Sequence, residues 1–466
     1  MEAFGASAGA AGAGTRYVPS VSDVRTALLS VAVSTDGAGM VDQLRELEDL
    51  KSLAAARQAE IAVAFDHSLR QERAAAGVPA DEQGTGVGTQ VALARRESPA
   101  RGGRLLGLAK ALTEMPRTFT AFRSGQLNEW RTTQVVKETA CLSVEDRFAV
   151  DEELAADTGT FDGAGDRAIT GAVRAAAYRR DPLSVTKRAS HAVTERTVTL
   201  RPAPDTMAYV TALLPVAQGV AAYAALTRQA NTLKSSGDER SKGAIMADTL
   251  VERVTGTPGG ITGIEVQLVM TDRTLFQGDS EPARLTGYGV VPAGWARQAT
   301  LRAAASPESA GTPERAELKV WLRRLYTAPG TGELVAMDSK ARIFPTGLKR
   351  FLQVRDDTCR TPFCDSPIRH HDHVVSWHNK GATTHQNGQG LCEACNHTKE
   401  TTGWAARPVS GARHSVEFTT PTGHTYRSMA PPLPGMPLEP VRTKPGVLVL
   451  GRVVPHRPLV RAAAGP

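Results

Sequence analysis

The 466-residue sequence predicts an α+β fold: a mainly helical N-terminal domain with a small sheet, then a C-terminal module of two strands and a helix bracketed by four cysteines. Three observations lead there. Alanine is abundant while aromatic residues make up only 5%, a composition that favours helices. Near residue 196 the apolar period changes from helical to alternating, as strands require. Four of the five cysteines and six of the eleven histidines fall between Cys359 and Glu400. The length favours two or three domains, and 41% hydrophobic residues supply enough apolar surface for their cores.

Residues 1–20, rich in Gly, Ala and Ser, read as a flexible leader. From Met40 onward Leu47, Leu50, Ala54, Ile61 and Phe65 recur at helical spacing, which predicts a long helix with these residues facing the core. The stretch from Ser98 to Asp157 predicts short helices separated at Pro116, Gly125 and Ser143, the last as a helix cap. Cys141 reads as a small buried hydrophobe in this bundle. The segments "RTVTLRP" and "MAYVTALLP" alternate around the turn "APD", and "GIEVQLVMT" from Gly263 alternates again, predicting a small sheet. The glycines of "GTGVG" at Gly84 follow no strand and precede no Lys-Ser/Thr pair, so they form a loop without a phosphate-binding role. "SPESAGTPERAE" from Ser306 reads as a linker, and the Pro-rich stretch after Arg407 as a largely unpacked tail. The expected division is a leader at 1–20, a helical domain at 21–335, a cysteine-rich module at 336–405 and a tail at 406–466.

A formal charge of +7 and a pI near 9.2 suit a polyanionic partner. The N terminus lacks the basic start, apolar run and cleavage site of a secretory signal. The most apolar window, "YVTALLPVAQGVAAYAAL" from Tyr209, is interrupted by Thr211, Pro215, Gln218 and Gly219. It reads as strand, turn and buried helix, not as a membrane span. These features predict a cytoplasmic protein with no membrane partner, and no feature specifies an oligomeric state.

Cys359 and Cys364 form C-x4-C, and Cys392 and Cys395 form C-x2-C, with 27 residues between the pairs. Two such pairs can close a tetrahedral thiolate site around structural Zn²⁺, each contributing one knuckle. Four thiolates fill the ion's coordination, so chemistry must come from other side chains. Within the bracket, "DHVVSW" alternates, "HNKGATTHQNGQG" is turn-rich, and "CEACNHTKE" opens a helix, an order that lets Asp372, His373 and Asn396 converge.

The "DH" pair, Asn387 five residues before the third cysteine, and C-x2-C-N-x2-K resemble the HNH endonuclease family in its zinc-knuckle, ββα-metal form. The preceding stretches "ALTEMPRTFTAFRSGQL" and "ERSKGAIMADTLVERVTG" are similar to the helical domain of unknown function that accompanies such modules in actinobacterial proteins. The resemblance implies a metal-dependent endonuclease acting on DNA phosphodiester bonds. His373 would be the general base, and Asp372 with Asn396 would hold a catalytic Mg²⁺ or Mn²⁺. Asn387 would tie the loop so that His373 keeps its orientation, and Lys399 would meet phosphate. By the register of the motif Asn396 would be the last metal ligand, with the neighbouring His397 the alternative; His370, His371, His378 and His385 read as loop or surface histidines. Lys349, Arg350 and Arg355 on "PTGLKRFLQVRDD" are expected to contact the DNA backbone, a solvated basic face being the alternative. A non-catalytic zinc-stabilised nucleic-acid-binding or regulatory module is the competing function, and a zinc-held interaction scaffold a third.

Overall fold

A computed structural model describes residues 19–155, 161, 163–256, 267–304, 343–411 and 413–435. The leader up to residue 18, the start of the alternating segment at Gly263, the linker from Ser306 and the tail beyond 435 lie outside the described residues. The chain divides into two compact units, Met1–Arg196 and Thr197–Pro466. The first is helical, with α1 (Val21–Leu29), α2 (Gly37–Ala75), α3 (Val87–Arg95), α4 (Pro99–Leu112), α5 (Pro116–Arg123), α6 (Glu129–Thr139), α7 (Val144–Ala155), α8 (Asp166–Arg180) and α9 (Pro182–Ala192). Side-chain caps explain where several of them begin: Asp36, Ser98, Asn128 and Asp181 each accept a backbone N–H from the first turn of the helix that follows. The expected turn signals hold. Pro116 opens α5, Gly125 takes a positive φ of 87° just beyond it, and the Ser143 hydroxyl accepts from Asp146 N at the start of α7.

The face of α2 that enters the core differs from the expected stripe. Leu47 and Ile61 are 43% and 54% exposed, whereas Ser52, Ala56, Ala59, Ala62, Asp66 and Leu69 are buried. The reason is steric: alanines let α4 and α5 approach closely, and the apolar bulk comes from Leu108, Leu112, Met115, Phe122 and Leu127 on those neighbours and the turns beside them. Asp66 is admitted because Arg70 Nε and Lys110 Nζ lie 2.8 and 2.7 Å from its Oδ2. Gly102 has no room for a Cβ against Ala92 and the carbonyl of Gly88, so the glycines around Gly84 serve a turn and the α3–α4 contact. Cys141 is half-buried against the same core.

The second unit begins with the predicted hairpin, β1 (Thr197–Ala203) and β2 (Met207–Leu213), whose register closes at Ala203 and Met207. Helices α10 (Val216–Ser235) and α11 (Lys242–Thr255) follow. The expectation of a buried helix after Pro215 is corrected: Val220 and Tyr223 of α10 are 64% and 67% exposed. No described helix is long and apolar enough to cross a membrane. A second small sheet is built from β3 (Leu268–Val269), β4 (Ala283–Leu285) and β5 (Gly289–Val291), with α12 (Asp272–Phe276) inside it and α13 (Ala293–Ala304) after it. Then come α14 (Thr346–Asp356), β6 (His370–His373), β7 (Gly388–Leu391), α15 (Glu393–Lys399), β8 (Ala405–Val409), β9 (Ser415–Thr419) and β10 (Thr425–Met429).

Residues from 197 group with the cysteine-rich module instead of with the helical bundle. Val269 of β3 packs on Phe344, Leu348, Phe351 and Leu352, and the guanidinium of Arg284 in β4 donates to the carbonyl of Val354 in α14. The stretch expected to be an unpacked tail forms a sheet over 405–429, with Val416 and Phe418 buried against Val374. Its prolines do not prevent this, because Pro408 lies on β8, an edge of the sheet order β10-β9-β8.

Candidate metal centre and ββα site

The four cysteine sulfurs come together from two short segments. Cys359 donates its N–H to Ser366 O and Cys364 to Thr361 O, forming a tight knuckle in which Phe363 takes a φ of 63°. Cys392 caps α15 and Cys395 sits in its first turn. All four sulfurs lie within 4.8 Å of one another, with Cys364 at 3.9 Å from Cys392 and 3.7 Å from Cys395. Zn–S bonds of about 2.3 Å in a tetrahedron place sulfurs roughly 3.8 Å apart, so the cluster fits a zinc site. None of the five cysteines is in a disulfide. The thiols share protons unevenly: hydrogen bonding from Cys359 helps hold Cys364 down to about 7, and the same network depresses Cys392 and raises Cys359 and Cys395. A bound divalent cation removes that competition by accepting all four as thiolates.

Strand β6 pairs antiparallel with β7, His371 opposite Gly390 and His373 opposite Gly388, and α15 follows directly, so the predicted ββα order is present. His373 is buried, its Nε2 lies 2.8 Å from Thr383 Oγ1, and its ring packs on Phe344 and Trp377 at 4.6 and 5.8 Å. Its Nδ1 is 4.0 Å from Asp372 Oδ1. Thr383 is fully buried and was missed from the sequence, where a threonine in a turn-rich loop carries no signal.

Asn387 ties that loop together. Its Nδ2 donates to Val375 O and Ala382 O at 3.1 and 2.9 Å, while its Oδ1 accepts from Val375 N at 2.8 Å. A Cβ at Gly381 would strike both the Val375 carbonyl and the Asn387 amide, so only glycine permits the arrangement. Asn396, on α15, has a buried Oδ1 with no hydrogen-bond partner. Lys399, one turn further along the same helix, places Nζ 3.0 Å from Asp372 Oδ2. His397 is exposed and its ring faces His370 at 6.3 Å. The ring of His371 is half-buried with Nε2 unpartnered, and burial followed by the charge of Lys349 holds it below the ordinary histidine value.

The expected backbone contacts divide. Lys349 and Arg350 are exposed on α14, whereas Arg355 is buried and is corrected to a structural residue. Its Nε and Nη2 donate to Asp356 at 2.7 and 3.1 Å, and its remaining N–H groups reach His385 O and Gly388 O. Helical periodicity turns Arg355 inward with Leu348, Phe351 and Leu352, a position basic composition does not reveal. Lys399 is likewise buried and engaged with Asp372 and Glu400, instead of presenting its ammonium to solvent. Behind β7, Arg360 Nη2 donates to His414 O and Ser428 O at 3.2 and 3.0 Å, fastening β9 and β10 to the knuckle.

Comparison with known families fits this layout. Residues 46–317 match the family model described as Domain of unknown function (DUF222), and residues 357–402 match that described as HNH endonuclease. The second match contains all four cysteines together with Asp372, His373, Asn387, Asn396 and Lys399, and indicates a nuclease-type, metal-binding module with a nucleic-acid substrate. No curated protein and no solved structure is matched by the chain.

Proposed function

The chain belongs to the DUF222 family and carries an HNH module in its C-terminal half, and on that basis we propose that it is a metal-dependent endonuclease that hydrolyses DNA phosphodiester bonds. The observation that carries the reading is the unpartnered, buried Oδ1 of Asn396. A buried amide oxygen without a hydrogen bond is costly, and a divalent cation shared with the Asp372 carboxylate is the partner that satisfies it. The exposed position of His397 fits Asn396 as the helix-borne ligand.

His373 acts as general base. Nε2 is 2.8 Å from Thr383 Oγ1, and in the tautomer in which Nε2–H donates to that hydroxyl, Nδ1, 4.0 Å from Asp372 Oδ1, takes a proton from water. The deprotonated water oxygen forms a bond to phosphorus in line with the P–O bond that breaks, and the leaving oxygen is then protonated by solvent. When bound, Mg²⁺ or Mn²⁺ supplies positive charge to the scissile phosphate and to the leaving oxygen. Asn387 holds the loop that carries Thr383, and the four-cysteine site ties α15 to the Cys359–Cys364 knuckle. Lys349 and Arg350 supply phosphate contacts from α14.

A supercoiled-plasmid nicking assay tests the reading. Cleavage by the full-length protein should require added Mg²⁺ or Mn²⁺ and stop with EDTA. His373→Ala should lower the rate by about 10² to 10⁴ while zinc content and DNA binding persist. Nicking that survives in both His373→Ala and Asp372→Ala rules out this site as its source.

A further inference from the structure

The charge arrangement around Asp372 extends this reading and rests on it. The Lys399 side chain is 6% exposed, an uncommon position for an ammonium. Its Nζ lies 3.0 Å from Asp372 Oδ2 and is also paired with the Glu400 carboxylate, whose side chain is 51% exposed. Asn396 Oδ1, on the same helix, is not among its acceptors and accepts no hydrogen bond from any other donor among the described residues. A positive charge thus already occupies the carboxylate that a divalent ion needs, while the neutral ligand one turn before Lys399 on α15 is left over.

We propose that Lys399 is the resident counter-ion of Asp372, and that a divalent cation loads by displacing this ammonium from Asp372 onto Glu400. The movement is short because Nζ touches both carboxylates before any metal arrives. An ammonium has three donors on a flexible stem, so it can exchange one acceptor for another without losing its charge partner. Glu400 is the receiving group, and its exposure lets the displaced charge approach solvent. The arrangement selects for charge and ligand demand: a monovalent cation offers Asp372 no more than the ammonium does, whereas a divalent ion also satisfies Asn396 Oδ1. Metal affinity is therefore set by a competition inside the protein as well as by the ligands.

Mn²⁺ titration of the full-length, zinc-loaded protein, read as free Mn²⁺ by electron paramagnetic resonance, tests this without measuring cleavage. Lys399→Met should tighten Mn²⁺ binding by about tenfold, and Lys399→Arg, whose guanidinium grips a carboxylate through two N–H groups, should weaken it. Glu400→Gln on the surface should weaken binding several-fold in the presence of Lys399 and much less in the Lys399→Met background. Kd values for both Lys399 variants within twofold of wild type overturn the proposal, as does an equal effect of Glu400→Gln in the two backgrounds. If Lys399→Met fails to fold, Lys399→Arg and Glu400→Gln decide it alone: Kd values within twofold of wild type for both overturn the proposal. Asp372→Asn separates the two levels: if it leaves Mn²⁺ affinity unchanged, the assignment of the metal site falls and this proposal with it. If it abolishes binding while the Lys399 variants do nothing, only the displacement is wrong.

Discussion

Replacing Asp356 by asparagine should cost the C-terminal module about 3–5 kcal/mol, although the residue is neither a zinc ligand nor a proposed catalytic group. Asp356 is fully buried and accepts from Arg355 Nε at 2.7 Å, Arg355 Nη2 at 3.1 Å and Gly390 N at 2.8 Å, with Arg360 Nε 3.8 Å away. Burial disfavours its charge, but the Arg355 charge and hydrogen bonds, with Arg360, outweigh that and hold the carboxyl below its ordinary value. A depressed carboxylate contributes stability that is present above the ordinary range and lost as pH falls through the folded value. Three charge-assisted bonds at roughly 1.5–3 kcal/mol each give an upper range near 4.5–9 kcal/mol. Both arginines keep carbonyl partners at His385, Gly388, His414 and Ser428, which brings the loss down to the 3–5 kcal/mol expected when one member of a buried ion pair is removed. Asparagine preserves the volume, so no cavity adds to it. Zinc release under increasing urea, followed with a colorimetric chelator, reports on this module specifically. A midpoint displaced by less than the equivalent of about 1 kcal/mol would refute the reasoning, because two buried guanidinium groups would then tolerate an uncharged neighbour.

Three further outcomes follow from the same geometry. Cys364→Ser, or exhaustive chelation, should remove zinc and unfold the ββα unit, since structural zinc supplies on the order of 10 kcal/mol; elemental analysis with circular dichroism checks this, and a folded, zinc-free module would contradict it. Thr383→Val should lower kcat by about 3–10-fold with KM little changed, the worth of one orienting hydrogen bond, while Thr383→Ser restores it; equal rates for valine and threonine would remove Thr383 from the mechanism. Burial, aided by the charge of Arg355, pushes His414 down to about 4. The unfolded chain therefore binds the extra proton first, and stability should fall as pH drops from about 6.5 towards 4, by up to roughly 3 kcal/mol. The acid limb of a pH–stability curve should be shallower in His414→Gln, and an unchanged limb would assign the loss to other groups.

Much of the site was legible in the sequence because its signals are local. Cysteine spacing dictates knuckles whatever the rest of the chain does, and "APD", Pro116, Gly125 and Ser143 fix turns and caps through their own backbone chemistry. The ββα order follows from a period change over a few residues, while Asp372, His373, Asn387 and Asn396 are singled out by the resemblance of the "DH" pair, the asparagine before the third cysteine and C-x2-C-N-x2-K to the HNH motif. What the sequence by itself determined was thus the identity and order of the chemical groups. Tertiary structure decided their partners. Only packing turns Arg355 inward onto Asp356, draws Lys399 onto Asp372, and brings Thr383 to His373 from ten residues away. The same holds for the inner face of α2, where alanines displace the larger stripe because the neighbouring helices already fill the space. It holds too for β8–β10, whose alternation is hidden by prolines that an edge strand tolerates. A side chain's charge is written in the sequence, but whether water, a carboxylate or a metal balances it depends on which distant surfaces close around it.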